Sequence, residues 1–156
     1  RVLFRSPEFL VWAQKDKHSA SLQRIQIIKG SITNSGARPS EKVFDVVCSD
    51  GLEVDPTTHR CPDNGARVNI EDCSITNNVG ATELKATWRD PDFNPKDKAF
   101  YYVRVLENPT CRWSTWDALK AGIKPRSDLH KTIQERAWSS PIWYIPVPED
   151  IDIFAL

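Results

Sequence analysis

The sequence predicts an α+β, mainly-β fold, with roughly five or six antiparallel strands in a sandwich-like arrangement and one clear short helix. Three observations carry that prediction. Apolar and β-branched residues recur in short runs, several of them alternating with polar ones. Eleven prolines stand against six glycines, which favours rigid turns and short elements over a helical bundle. Clear helix start and stop signals occur in one place, after Arg112.

In chain order, Pro7–Ala13 is short and apolar and reads as a strand or a buried opening segment. Gln14–Ser21 is polar, a loop or one helical turn. Leu22–Ile32 is β-branched with partial alternation, and Lys42–Val47 is again a strand by composition. Thr33–Ser40 between them is rich in turn residues, so the pair predicts an antiparallel hairpin with a long loop. Cys48–Cys73 is mostly irregular, punctuated by Asp50-Gly51, Asp55-Pro56 and Asp63-Asn64-Gly65. In Thr82–Trp88, Leu84, Ala86 and Trp88 alternate with Glu83, Lys85 and Thr87, as in a half-buried strand.

The densest strand is Phe100–Leu106, reached through the proline-broken turn Arg89–Lys98. Alternation puts Phe100, Tyr102, Arg104 and Leu106 on one face and Tyr101, Val103, Val105 and Glu107 on the other. A run apolar on both faces belongs inside a sheet, covered on both sides. Arg104 within it needs a partner, because a buried unpaired charge is very costly. Asn108-Pro109 ends the strand. Ser114 reads as a helix N-cap, Asp117 completes an acidic capping box, and Gly122 suits the stop of a helix over Thr115–Ala121. Beyond the loop Gly122–Lys131, Thr132–Ala137 is extended or a short helix, and Pro141–Val147 is an aromatic strand suited to a sheet edge.

At 156 residues the chain fits one domain with a real core, and its six tryptophans mark it as folded. Lysine plus arginine equal aspartate plus glutamate at 21 each, which argues against nucleic acid or an anionic membrane as the main partner. No apolar run approaches the roughly 20 residues needed to span a bilayer. RVLFRS resembles one reading frame of a common short-read library adapter. Arg1–Ser6 is therefore expected to be a non-native scar on an open fragment of a longer gene, with a processed or expressed fragment as the alternative. The native β-rich region is then 7–147, followed by an acidic, then apolar tail over 148–156.

Four cysteines, Cys48, Cys61, Cys73 and Cys111, allow three disulfide connectivities, and none shows the C-x2-C spacing of a zinc knuckle. A local Cys48–Cys61 staple, with Cys73–Cys111 pinning the next loop behind the central strand, is the favoured arrangement and implies an oxidising compartment. Four reduced thiols in a cytoplasmic protein are the alternative. Asp50, Asp55 and Asp63 invite a calcium reading, but their spacing does not fit the twelve-residue calcium loop, and solvated turns account for them. His18, His59 and His130 lie in separate polar loops, with no HxH or HExxH. Ser139-Ser140-Pro141 lacks a glycine elbow. Two polar clusters in aromatic surroundings remain: Arg104, Glu107 and Arg112 with Trp113, and Gln134, Glu135 and Arg136 with Trp138. Arginine beside tryptophan can clamp a carboxylate or sulfate-like group while the ring packs on it, or form an internal Arg–Glu network.

Taken in order, LQRIQIIKG, EKVFDVVCSDG, GATELKATWRDPDF, AFYYVRVLENPTCRWSTWDA and IQERAWSSPIWY resemble the C-terminal portion of the DUF3604 family. These are large, often exported bacterial proteins, similar to metallohydrolases of the PHP superfamily, including the CehA/McbA-type hydrolases. The resemblance implies that this chain is the C-terminal part of a larger PHP-like α/β hydrolase, periplasmic or secreted. Its divalent metal, zinc, manganese or iron, would be held by upstream segments of the same protein, which is the partner implied. No metal ligand and no catalytic residue is assigned here, and the fragment alone is expected to be inactive. Arg104, Glu107, Arg112 and Trp113 are the residues expected to position a small-molecule substrate. The rival reading is a stand-alone β-sandwich that binds a ligand such as a glycan, or serves structure alone.

Overall fold

The structure, a computed structural model, describes residues 6–33 and 39–146. Nine strands and one helix follow one another as β1 (Glu8–Gln14), β2 (Leu22–Ile32), β3 (Ser40–Cys48), β4 (Glu83–Arg89), β5 (Lys98–Glu107), β6 (Thr110–Cys111), α1 (Trp113–Lys120), β7 (Thr132–Ile133), β8 (Arg136–Trp138) and β9 (Ile142–Tyr144). The mainly-β, antiparallel character with one short helix is as the sequence predicts.

Two sheets enclose the core. β3, β2 and β5 form the body of the larger sheet, and β8 and β9 share the outer edge of β5. β1 pairs with β4 in a separate two-stranded sheet. Every pairing among these strands is antiparallel. The hairpin read from Leu22–Ile32 and Lys42–Val47 is the β2–β3 pair; part of its loop, 34–38, lies outside the described residues, as does the tail 148–156. Between the sheets lie Val11 of β1, Leu84 of β4, Ile25 and Ile27 of β2, and Ala99 and Tyr101 of β5. Aromatic rings bridge the layers, with Phe9 against Tyr101 at 4.8 Å and Phe44 against Trp88 at 5.1 Å between centroids. Such ring pairs stabilise by about 0.5–1.5 kcal/mol beyond the area they bury.

Into this core the chain carries one ion pair. Lys29 Nζ stands 2.6 Å from Asp90 Oδ2, with side chains 7% and 0% exposed. Tyr101 donates its hydroxyl to the same Asp90 oxygen at 2.7 Å, and Lys29 also donates to the Asp92 carbonyl at 2.8 Å. Burial, and then the neighbouring Asp90, push the Tyr101 phenol far above its ordinary range.

The central strand β5 lies inside the sheet as expected, yet among the described residues only one of its faces meets a second layer. Tyr101 is buried toward β1 and β4, whereas Phe100, Tyr102 and Arg104 on the opposite face are half-buried. Aromatic packing within that face accounts for their partial cover. A side chain on Gly30 would collide with the Phe100 ring, so the glycine opposite Phe100 lets the ring lie flat on β2. Trp143 of β9, across from Phe100, then packs at 5.3 Å.

One further expectation needs correction. The helix begins at Trp113, with Arg112 as N-cap and no side-chain cap, so Ser114 and Asp117 form no capping box. The short β6–β7 ladder anchors the start instead: Arg112 N–H and the Thr115 hydroxyl both donate to the Lys131 carbonyl, at 2.9 and 2.8 Å. Tertiary contacts replace the local cap. At the other end Gly122, with φ of 67°, ends the helix as predicted. Thr132–Ala137 is extended, not helical, giving β7 and the start of β8. Ser139 bridges the break between β8 and β9, accepting from Val103 N–H at 2.9 Å and returning its own N–H to the Val103 carbonyl.

Both disulfides form in the favoured arrangement, Cys48–Cys61 and Cys73–Cys111. Of the aspartates weighed as calcium ligands, Asp55 and Asp63 serve turns, and Asp50 ties its loop to the one before β4. Asp55 accepts from Thr57 and Thr58 N–H, Asp63 from Gly65 N–H, and Asp50 from Gly80 N–H.

Candidate functional site

The open face of the larger sheet carries an ordered row of polar residues. Asp45 of β3, Gln26 of β2, Arg104 of β5 and Trp138 of β8 lie directly opposite one another. Paired residues in a sheet project from the same face, so all four side chains share this surface. In the next row Arg24 of β2 and Arg136 of β8 flank Leu106 of β5. Two irregularities in β2, between Leu22 and Arg24 against β5 and between Ile25 and Gln26 against β3, bracket Arg24. Bulges of this kind re-aim side chains beside sites.

Asp45 is the anchor. It is buried, and it accepts from Gln26 Nε2 and, at 2.7 Å, from Cys61 N–H. The Cys48–Cys61 bridge thus delivers a backbone donor to the carboxylate. Arg24 Nε at 3.6 Å and Arg60 Nη1 at 3.5 Å pair with it more loosely. With its amide held by Asp45, Gln26 turns its Oε1 to accept from Arg104 Nε at 2.7 Å. That is the partner the sequence demanded for Arg104, although it is an amide and not a carboxylate. Arg104 keeps both Nη groups without a partner among the described residues. Burial lowers the Arg24 pKa; Asp45 opposes the effect, and Arg60, Arg104 and Arg136 add to it. Two guanidinium groups, Arg24 and Arg60, therefore share one buried carboxylate, with Arg104 linked to it through Gln26.

Beside this patch opens a cleft of about 540 Å³, lined by Gln23, Arg67, Arg112, His130, Gln134 and Arg136 among others. Gln134 donates to Gln23 Oε1 at 2.9 Å and to the Glu107 carbonyl at 3.0 Å, while Arg24 donates to the same Gln23 oxygen. The hydrogen bonds make the cleft wall continuous with the arginine row. Arg67 is engaged by Asp63 at 2.7 Å, and its guanidinium holds the Asp63 carboxyl down at about 2. The side chains of Arg112 and Arg136 make no hydrogen bond or ion pair among the described residues. At the other end of the open face an apolar groove of about 490 Å³ surrounds Gly30, Phe100 and Trp143.

The four residues singled out from sequence do not gather at one point. Arg104 is in the polar row and Arg112 in the cleft. Glu107 accepts from the Ser19 hydroxyl, and Trp113 opens the helix 67% exposed. From the second cluster, Arg136 and Trp138 stand in the two rows and Gln134 in the cleft wall. Arg24, Gln26, Asp45 and Arg60 were not singled out. Arg24 and Gln26 had left a signal, since they alternate with Ile25 and Ile27 in LQRIQIIKG.

Among the described residues no group of three or more His, Cys, Asp or Glu is placed to hold a metal ion. The four cysteines are taken up in disulfides. Two disulfides are compatible with an extracellular or periplasmic setting. Among the described residues no helix is long and apolar enough to cross a membrane.

Searches of curated proteins and of solved structures gave no match. The family model described as a protein of unknown function, DUF3604, matches residues 3–146, nearly the whole chain. The chain belongs to the DUF3604 family.

Proposed function

We propose that this chain is the C-terminal, substrate-positioning and structural part of an exported metal-dependent hydrolase of the PHP type. The metal, zinc, manganese or iron, and the hydrolytic machinery belong to an N-terminal part of the same protein outside residues 1–156. The chain alone is then inactive. One observation carries the positioning role: a buried carboxylate, Asp45, orders a row of guanidinium groups on an otherwise open sheet face. Charges held in place by hydrogen bonds suit the orientation of a substrate. The PHP kinship rests on the resemblance of the five sequence blocks.

The test is made on the longer protein, recovered by extending the DNA upstream of Ser6. Its bound metals are counted by elemental analysis and a hydrolase substrate screen is run. Stoichiometric zinc, manganese or iron, lost when upstream histidines are replaced, together with turnover in the screen, is the expected result. A longer protein free of metal and without hydrolytic activity would overturn the proposal. It would favour a β-sandwich module for ligand binding or structure, a reading that the exposed Trp138 and Trp143 on the open face also support.

A further inference from the structure

Neighbouring strands lie about 4.8 Å apart, and same-face residues two positions along a strand about 6.7 Å apart. Arg24 and Arg136 are two strands apart in one row, and Arg104 sits between them in the next. The three backbones thus mark a triangle less than about 10 Å on its longest side, close enough for three arginine side chains to reach one ligand.

Three features distinguish this triangle from ordinary surface arginines. Two of its members are held in place, Arg104 by Gln26 and Arg24 by Gln23 and Asp45. The charge is unbalanced, since Asp45 is shared among Arg24, Arg60 and the amide of Gln26. Donors are also left over: both Nη groups of Arg104 and the guanidinium of Arg136 have no partner among the described residues. Assembling like charges costs energy unless an anion arrives to meet them. Trp138, 59% exposed and directly opposite Arg104, offers a ring beside the charges. An organic group can pack there while its anionic end is held.

We propose that Arg24, Arg104 and Arg136 form an oxyanion-binding site, which takes a phosphate, sulfate or carboxylate group of an organic ligand whose apolar part rests on Trp138. Guanidinium forks match such oxygens in geometry and charge. The inference rests on the substrate-positioning reading in one respect only, that the bound anion belongs to the substrate. Binding itself needs neither a metal nor hydrolysis.

Isothermal titration of the 156-residue chain at low ionic strength tests it, with inorganic phosphate, sodium sulfate and sodium acetate as separate probes. Arg136→Gln is the principal variant, because that side chain is exposed and bonds to nothing the fold requires. Arg136→Lys and Lys85→Gln, the latter on the two-stranded sheet, are the comparisons. Saturable binding of at least one probe is expected, about tenfold or more weaker in Arg136→Gln, as for the loss of one charge-assisted hydrogen bond. Arg136→Lys should recover part of it and Lys85→Gln should stay within about twofold, with affinity falling as salt is added. The probe that binds best identifies the oxyanion. No saturable binding of any probe, or equal weakening in Arg136→Gln and Lys85→Gln, would overturn the inference. Metal content of the longer protein is a separate measurement, so either proposal can fail without the other.

Discussion

At the scale of single residues, buried polar groups tie distant parts of this chain together. Lys29 and Asp90 form an ion pair inside the core, and Tyr101 adds its hydroxyl. Removing one partner strands the other without water, so Asp90→Ala should lower unfolding free energy by about 3–5 kcal/mol in a denaturant titration. Asn108 joins three segments: its N–H donates to the Ser21 carbonyl, its Nδ2 to the Val79 carbonyl, and its Oδ1 accepts from Asn64. As a strand stop, Asn108 was legible in the sequence; as a staple it was not, because its partners lie far away along the chain. Asp63 gives a pH-dependent prediction. Its folded-state pKa is about 2 against an ordinary 3.8, owing first to Arg67 and then to Gly65 N–H. A depressed carboxylate contributes stability that is complete above 3.8 and disappears as pH falls through 2. Carbon-detected titration by nuclear magnetic resonance should find this low value, and Arg67→Gln should move it up toward 3.8.

At the scale of elements, alternation located β4 and divided the faces of β5, whereas β3 was found by composition and β2, with only partial alternation, is buried along nearly its whole length. The helix start was misread because Ser114 offered a local cap that the Lys131 carbonyl made unnecessary. The bulges in β2 were invisible too, as they depend on which partner residues face Arg24 and Gln26. Both disulfides were readable from where their cysteines fall relative to strands and loops. Converting Cys73 and Cys111 together to serine frees a 38-residue separation and should cost about 2–4 kcal/mol, seen as a lower thermal midpoint. Breaking Cys48–Cys61 should do more than destabilise, because it loosens Cys61 N–H and Arg60 from Asp45. Gly80 ties the loop before β4 to the body of the molecule. Its φ is 93°, and a methyl group there would come within 2.6 Å of Ser21 Cβ. Gly80→Ala should therefore destabilise by more than about 1 kcal/mol in the same denaturant assay.

At the scale of the whole molecule, the two faces of the larger sheet have different tasks. One closes the core against β1 and β4. The other holds Asp45, Gln26 and Arg104 in register, with Arg24 and Arg136 beside them. Composition hid this division, because a formal net charge of zero says nothing of the arginines gathered on one face. The central claim is that this face orients a substrate and leaves bond breaking to residues elsewhere. The most direct measurement is steady-state kinetics of the longer protein carrying Arg136→Gln, on the best substrate from the screen. The account predicts KM raised about tenfold, with kcat within about twofold of the unaltered protein, as for loss of an interaction that ground and transition states share. An unchanged KM, or a loss confined to kcat, would contradict it.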